Sequence, residues 1–320
     1  MSPHRSRTNL EGRLGAFAPA SVANVAVGFD LLGFALDVAG DTVYVERTPE
    51  RTVTIAGITG LVTALPSDVR HNTATAGLER LIHDHDLDFG FRVTIEKGIP
   101  LGSGMGGSAA SAVAAIVAAN EFLERPLSRL ELLPYALVGE AVASGSYHAD
   151  NIAPSLLGGL TLATVSAKAE VDVVSIPVPS EVFCVLVHPH LEVATKAARG
   201  ILKPEIKLKD HVRQSGHLAG FIAGCFTSDL ELIRRSLTDY VIEPQRAHLI
   251  PGFAAVKDAA LAHGALGCSI SGAGPSVFAW APDRKSGERM KDAMIQAFTS
   301  AGVATDAWVA PLSRAGARLI

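Results

Sequence analysis

Four glycines fall within six positions of the run Pro100-Leu101-Gly102-Ser103-Gly104-Met105-Gly106-Gly107-Ser108-Ala109-Ala110. Glycine tolerates positive φ and leaves its backbone N–H uncovered. The run sits between a β-type segment, Phe91–Glu96, and the apolar stretch Ala109–Leu123. Amides that converge at the start of a helix meet the positive end of its dipole and make a cradle for phosphate. Ser103 and Ser108 add hydroxyl donors. A plain tight turn capping a helix would use the same residue types, so the surroundings must decide the chemistry.

Two familiar glycine-loop arrangements do not fit. Gly102, Gly104 and Gly107 satisfy G-x-G-x-x-G. The dinucleotide reading also requires a second strand after the helix, ending in an acidic residue. Here the helical stretch runs into Glu121 and Glu124, then Arg125-Pro126, and another helical pattern follows. The pattern G-x-x-x-x-G-K-[ST] fails too, because no lysine follows the glycines. Phosphate binding survives; those two folds do not.

The elements that must position the loop follow from periodicity. Short β-type runs occur at Val43–Glu46, Val53–Ile55 and Phe91–Glu96. Between them, Asn72–His85 carries Ala76, Leu78, Leu81 and Ile82 at helical spacing. Ala109–Leu123 is apolar on nearly every side, the mark of a buried helix. The next helix is predicted from Ser128, with Glu131 three residues on as a capping box. Strands are predicted at Leu160–Val165, Val171–Val174 and Val182–Val187, then mostly helix over 190–265, broken by Pro204, Pro244 and Pro251. The end reads as strand Leu266–Ile270, a glycine loop, strand Val277–Ala281, helix Ser286–Ala301 and strand Ala304–Val309. This pattern predicts an α+β chain of two layered halves. A loose N-terminal extension is expected over residues 1–13, and a division between residues 160 and 161.

Composition narrows the partners. A chain of 320 residues suggests about two domains, and 48% apolar with 19% charged residues supplies a large core. That excludes disorder of the whole chain. A formal net charge of −4 provides no basic field for nucleic acid or an anionic membrane, and neither is expected as a partner. Cys184, Cys225 and Cys268 are too scattered for a disulfide framework or a zinc cluster. With no apolar leader segment and no run of ~18 apolar residues, a cytoplasmic protein is expected. An anionic ligand must then be held by loop amides, helix termini or single arginines.

Two further segments stand either side of the glycine run. One reads Ala18-Pro19-Ala20-Ser21-Val22-Ala23-Asn24-Val25-Ala26-Val27-Gly28-Phe29-Asp30, the other Ser269-Ile270-Ser271-Gly272-Ala273-Gly274-Pro275-Ser276. In this order the three segments resemble the GHMP small-molecule kinases. His148-Ala149-Asp150-Asn151-Ile152-Ala153-Pro154, the stretch Glu243–Phe253 and the tail Ala315-Gly316-Ala317-Arg318 are similar to the homoserine kinase branch of that family. The resemblance runs from about Ala16 to Arg318.

The resemblance implies a GHMP kinase fold. A ribosomal-S5-domain-2-like N-terminal half (14–160) would join a ferredoxin-like C-terminal half (161–320), with the site between them. It implies ATP with Mg²⁺ as phosphoryl donor. Pro100 to Ala110 would wrap the triphosphate, Asn72 would approach the adenine, and Ser108 with Glu140 would hold the metal. The implied acceptor is L-homoserine, phosphorylated at its side-chain hydroxyl on the way to threonine. Arg199 and Arg246 would take its carboxylate, Asn24 and Asp30 would hold the amino end, and Gly272 would also border the substrate. His148, Asp150 and Asn151 would line the reacting hydroxyl.

The sequence departs from this family at one point: Gly106-Gly107-Ser108-Ala109 stands where Gly-Ser-Ser-Ala is usual, so one hydroxyl is missing at the phosphates. Asn151 cannot accept a proton, and in an extended segment its neighbour Asp150 would point the opposite way. Direct attack on the γ-phosphorus is therefore expected, with Asn151 orienting the hydroxyl and no strong base. The Ser271–Ser276 loop is expected to close over the phosphate. A GHMP kinase for another small alcohol and a non-catalytic ligand sensor on the same fold are the competing readings, and a homodimer is left open.

Overall fold

The computed structural model describes residues 12–145, 147–165 and 170–320. Its first elements are β1 (Arg13–Ala23), β2 (Leu32–Thr48), β3 (Val53–Gly60), α1 (Thr73–Asp84), β4 (Gly90–Lys97) and α2 (Gly107–Asn120). There follow α3 (Arg129–Ser144), α4 (Ile152–Leu157), β5 (Leu160–Val165), β6 (Val171–Ile176), β7 (Phe183–Pro189) and α5 (Thr195–Gly200). Next come α6 (Leu208–Thr227), α7 (Leu230–Ser236), α8 (Glu243–Arg246) and α9 (Phe253–Ala262). The chain ends with β8 (Gly267–Ile270), β9 (Val277–Ala281), α10 (Arg284–Ser300), β10 (Thr305–Pro311) and β11 (Arg318–Leu319).

The central element is α2, buried from Ala109 through Asn120. Alanine is the strongest helix former, and its short side chain lets neighbours pack close to the axis. Strands β1 and β2 cover one side of α2, and helices α1 and α3 the other. At Gly139 of α3 a Cβ would lie 2.3 Å from the Thr73 carbonyl oxygen and 2.7 Å from the Ala112 Cβ. Only glycine permits that approach, which fixes where the next residue, Glu140, enters the cleft. Both expected helix starts are present. Asn72 caps α1, and Ser128 with Glu131 forms the capping box of α3.

The first sheet runs β11-β1-β2-β4-β3, with β5 on β2 and β6 on β5. All pairs are antiparallel except β3–β4. The division expected between residues 160 and 161 falls inside this sheet. At 17 residues β2 is long enough to serve two partners on one edge: Thr42–Thr48 pairs with β4 and Leu32–Phe34 with β5. The chain passes to the second sheet only between β6 and β7. That sheet runs β10-β7-β9-β8, and the order strand–helices–strand–strand–helix–strand makes it ferredoxin-like. Of the extension expected over residues 1–13, only the last two are described, and Arg13 already opens β1.

The halves share a core. Phe34 of β2 lies 5.9 Å from both Phe278 and Trp280 of β9, and Phe221 of α6 lies 5.2 Å from Trp280. Cys184, Cys225 and Cys268 are buried and unpaired. Among the described residues, no helix is long and apolar enough to cross a membrane.

Gly33 is the tightest point between sheet and site, since a Cβ there would lie 1.7 Å from the Asp150 carbonyl oxygen. Gly33→Ala is expected to cost about 3 kcal/mol of unfolding free energy by overpacking. Gly57→Ala, where a Cβ meets open space, should stay within about 0.5 kcal/mol of the parent in the same urea titration.

Candidate active site

Between β4 and α2, six successive loop carbonyls each accept a hydrogen bond. Val193 N–H donates to Gly102 O (3.0 Å) and Ser276 N–H to Ser103 O (3.1 Å). The Ser271 hydroxyl donates to Gly104 O at 2.6 Å. Ser21 N–H donates to Met105 O (3.1 Å) and Ala110 N–H to Gly106 O (2.9 Å). Lys97 Nζ completes the set by donating to Gly107 O at 2.9 Å. With its oxygens tied back, the loop's N–H groups are left for the cleft, save that of Met105, which donates to Ser103 Oγ at 3.3 Å. Gly102, Gly104 and Gly106 have φ of +56°, +75° and +71°. Alternating left-handed and ordinary residues turn successive amides inward, into an anion-binding nest. The opening amides of α2 have no acceptor in their own helix and continue it. Gly106 is doubly constrained, because a Cβ there would lie 2.1 Å from Ser21 Oγ.

This donor cleft is lined by the loop, Ser108, Lys97, Glu140, Asn151, Thr195, Gly272 and Ala273. A second cavity adjoins it, lined by Asn24, Phe29, Asp30, His148, Asp150, Arg199 and Arg246. Glu140, Asn151, Thr195, Gly272 and Ala273 belong to both linings, so the two spaces meet there.

The walls of the second cavity are charged and closely paired. Arg199 grips Asp30 in a bidentate fork, Nη1 to Oδ2 at 2.9 Å and Nη2 to Oδ1 at 2.7 Å. Arg246 is 3% exposed and donates to Ala198 O at 3.0 Å and to Gly272 O at 3.2 Å. Both guanidinium groups lie 5.3 Å from the centre of the Phe29 ring, a cation–π arrangement. Arg199 Nε and His148 Nε2 are buried without a hydrogen-bond partner.

The segment that carries Asp30 bends through left-handed backbone: Asn24, Val25 and Ala26 have φ of +69°, +43° and +57°, and Asp30 has +59°. Each such non-glycine residue costs about 1–3 kcal/mol and persists only where its surroundings enforce it. Here Asn24 Nδ2 donates to Gly272 O at 2.8 Å, its Oδ1 accepts from Asp30 N–H at 3.1 Å, and Gly272 N–H donates to Ala23 O at 3.1 Å.

Burial, reinforced by the charge of Asp30, pushes the Asp150 carboxyl up to about 7. Burial also holds the His148 imidazole below its ordinary value, so it stays neutral where Asp150 titrates. The hydrogen bonds to Asp30 raise the Arg199 guanidinium. Arg246 is lowered, first by burial and then by Arg199. The cavity thus holds two cations side by side, with carboxylates around them.

Residues 72–159 match the GHMP kinases N terminal domain and residues 221–300 match GHMP kinases C terminal. The chain is 53% identical over 305 residues to homoserine kinase of Xylella fastidiosa, covering 95% of this chain and 93% of the other. It is 45% identical over 316 residues to homoserine kinase of Chlorobium phaeovibrioides, covering 95% and 98%. The chain belongs to the GHMP kinases. The crystal structure of homoserine kinase from Cytophaga hutchinsonii matches at a TM-score of 0.93, 42% identity and 98% of both chains. Mevalonate kinase of L. major, at 14% identity, 98% of this chain and 99% of the other and a TM-score of 0.67, shares the fold.

Against this GHMP kinase framework the expected residues divide cleanly. Asn24, Asp30, His148, Asp150, Arg199, Arg246 and Gly272 all line the second cavity. Of the loop, Pro100–Gly104 and Gly106–Ala109 face the donor cleft, together with Glu140. Met105 and Ala110 do not; both side chains are fully buried in the core behind it. The Asn72 side chain is committed to helix capping, with Oδ1 on Ala74 N–H at 3.0 Å and Nδ2 on Pro66 O at 2.9 Å. Asp150 corrects the expectation of an extended segment. Residues 148–151 turn into α4, so Asp150 and Asn151 reach the same cavity. Sequence reasoning missed Ser21, Lys97, Phe29 and Thr195. Ser21 and Phe29 stood in the quoted N-terminal segment, but nothing in their spacing marked them.

Ser271→Ala removes one of the six bonds that hold the loop. It should lower stability by about 1 kcal/mol and raise the KM for nucleotide several-fold more than the KM for the acceptor, as read from initial rates.

Proposed function

We propose that the protein is a homoserine kinase: it transfers the γ-phosphoryl group of ATP to the side-chain hydroxyl of L-homoserine, giving O-phospho-L-homoserine for threonine synthesis. One observation carries the reading. A nest of amides for an anion opens directly into a cavity with two arginines and several carboxylates, and the two meet at Asn151. A zwitterion with a side-chain hydroxyl suits the second space. Arg199 and Arg246 offer planar forks to a carboxylate, and Asp30 with Asn24 offers oxygens to an ammonium. Mevalonate has a carboxylate and no ammonium, and would bring no positive charge to the carboxylates of Asp30 and Asp150 that line the cavity. The three buried thiols accord with a cytoplasmic setting.

Mg²⁺ fits the cleft on the chemistry of its donors. The Ser108 hydroxyl and the Glu140 carboxylate, both hard oxygen ligands, line the same space as the amides. Among the described residues no group of three or more His, Cys, Asp or Glu stands ready to cage a metal. Mg²⁺ needs only one or two protein oxygens and takes the rest from phosphates and water. When bound, it neutralises phosphate charge.

Asn151 Oδ1 accepts from the Ser21 hydroxyl at 2.8 Å. That bond turns the amide so that its Nδ2 protons are the ones offered to a hydroxyl oxygen. Asn151 orients the nucleophile and takes no proton from it. As the new O–P bond forms, the bond from the γ-phosphorus to the β-bridging oxygen breaks and ADP leaves. The hydroxyl proton departs late, to an oxygen of the transferring phosphoryl group or to water, as a loose transition state allows. Fixing the two reactants in line supplies most of the acceleration.

ATP and Mg²⁺ should release ADP with homoserine well above the background ATPase and above mevalonate or a simple sugar; no excess with homoserine would sink the reading. Asp150 sets the pH dependence. Its carboxyl is neutral below about 7, and the ionised form complements the ammonium. The kcat/KM for homoserine should therefore fall about tenfold per pH unit below that value and level off above it. Asp150→Asn should flatten the acidic limb and act mainly on KM. A collapse of kcat alone in that variant, with Asn151→Ala near normal, would make Asp150 the proton acceptor instead.

A further inference from the structure

Beneath the first turn of α2 lies a buried ion pair that the chemistry above does not use. Asp41 lies in β2 and Lys97 closes β4, on strands paired so that Thr42 faces Glu96. Their side chains are 0% and 3% exposed. An ammonium has three protons, and Lys97 has three acceptors: the Asp41 carboxylate, Ser111 Oγ at 2.9 Å and Gly107 O at 2.9 Å. Asp41 is equally saturated. Its Oδ1 accepts from Gly98 N–H at 3.0 Å and Ile99 N–H at 3.1 Å, and its Oδ2 accepts from the Ser111 hydroxyl at 2.6 Å and from Lys97.

Such a pair is a poor source of stability, because well-packed apolar residues often do as well. Its geometry points elsewhere. The one contact leading out of the cluster toward the cleft is the carbonyl of Gly107, the first residue of α2 and the last of the six fastened loop oxygens. The fit is close: a Cβ at Gly107 would lie 3.1 Å from Ile99 Cγ2 and 3.4 Å from Lys97 Nζ. We propose that Lys97, seated on Asp41, is a positioning residue for the phosphate loop. It fixes the Gly107 carbonyl and so the direction in which the first amides of α2 face the phosphates of ATP. This rests on the loop being the triphosphate site. Lys97 also lines the donor cleft, but its protons are spent on the protein, so it acts through the backbone.

The test uses Asp41→Asn, Lys97→Met and the double variant, in the full chain, with Mg²⁺–ADP affinity by calorimetry and KM for both substrates. Lys97→Met alone leaves the Asp41 charge buried and unpaired, which destabilises the fold; the double variant removes both charges at nearly constant volume and keeps the comparison available. ADP affinity is expected to fall at least tenfold in Asp41→Asn and in the double variant, while the KM for homoserine stays within twofold. A lysine that bound phosphate directly would be released by Asp41→Asn, and ADP would then bind as tightly as before or more so, which overturns the proposal. Unchanged ADP affinity in the double variant overturns it as well, as do equal losses for both substrates alongside a lower Tm. Failure of the parent protein to bind ADP would strike instead at the loop as a triphosphate site.

Discussion

The site depends on where six carbonyl oxygens point. A glycine-rich loop can turn either face of its peptide planes toward a ligand, and the oxygen face would repel phosphate. Here the oxygens of residues 102–107 are all held from behind. A protein with a formal charge of −4 needs no basic field to take a polyphosphate under that condition. The donors come from Ser21, Lys97, Ala110, Val193, Ser271 and Ser276, so the cradle exists only once both sheets are in place. Val193, Ser271 and Ser276 belong to the second half, which makes the halves mutually necessary at the loop as well as in the shared core around Phe34 and Trp280.

The acceptor cavity meets the opposite constraint, too many charges in a small space. Two arginines side by side repel each other, and burial adds to the penalty. Asp30 relieves it by pairing with Arg199, and Phe29 lies against both guanidinium groups. A zwitterionic ligand brings one charge of each sign, so the total charge of the cavity is unchanged when it enters. The left-handed path of Asn24–Ala26 is what allows a short segment to present Asp30 here while Asn24 bonds to Gly272 across the cleft.

Local features were legible in the sequence and non-local ones were not. The glycine run, the helix from Asn72, the capping box at Ser128 and the buried helix α2 follow from residues close together in the chain. The polar cap rule even explains why Asn72 is occupied, although its place in the sequence suggested an adenine contact. The membership of β5 and β6 in the first sheet could not be read, because alternation identifies a strand without naming its partner. Asp41 and Lys97 were silent for the same reason, being 56 positions apart. Asp150 was misplaced by assuming an extended backbone; a turn into α4 brings consecutive side chains to one cavity.

One residue links the two halves of the chemistry. The N–H of Ser21 holds the Met105 carbonyl, and its hydroxyl holds the Asn151 amide oxygen. The orientation of the phosphate loop and that of the group proposed to aim the nucleophile are thereby referred to a single point on β1. In-line transfer requires the attacking oxygen and the phosphorus to be set relative to each other, more than either relative to the protein as a whole. A shared anchor meets that requirement directly, since a shift of β1 carries donor and acceptor together. Glycine at position 106 follows from it: any Cβ there would displace Ser21 Oγ and press on Asn151 Oδ1 at 2.9 Å, so one methyl group would disturb the loop and the orienting amide at once.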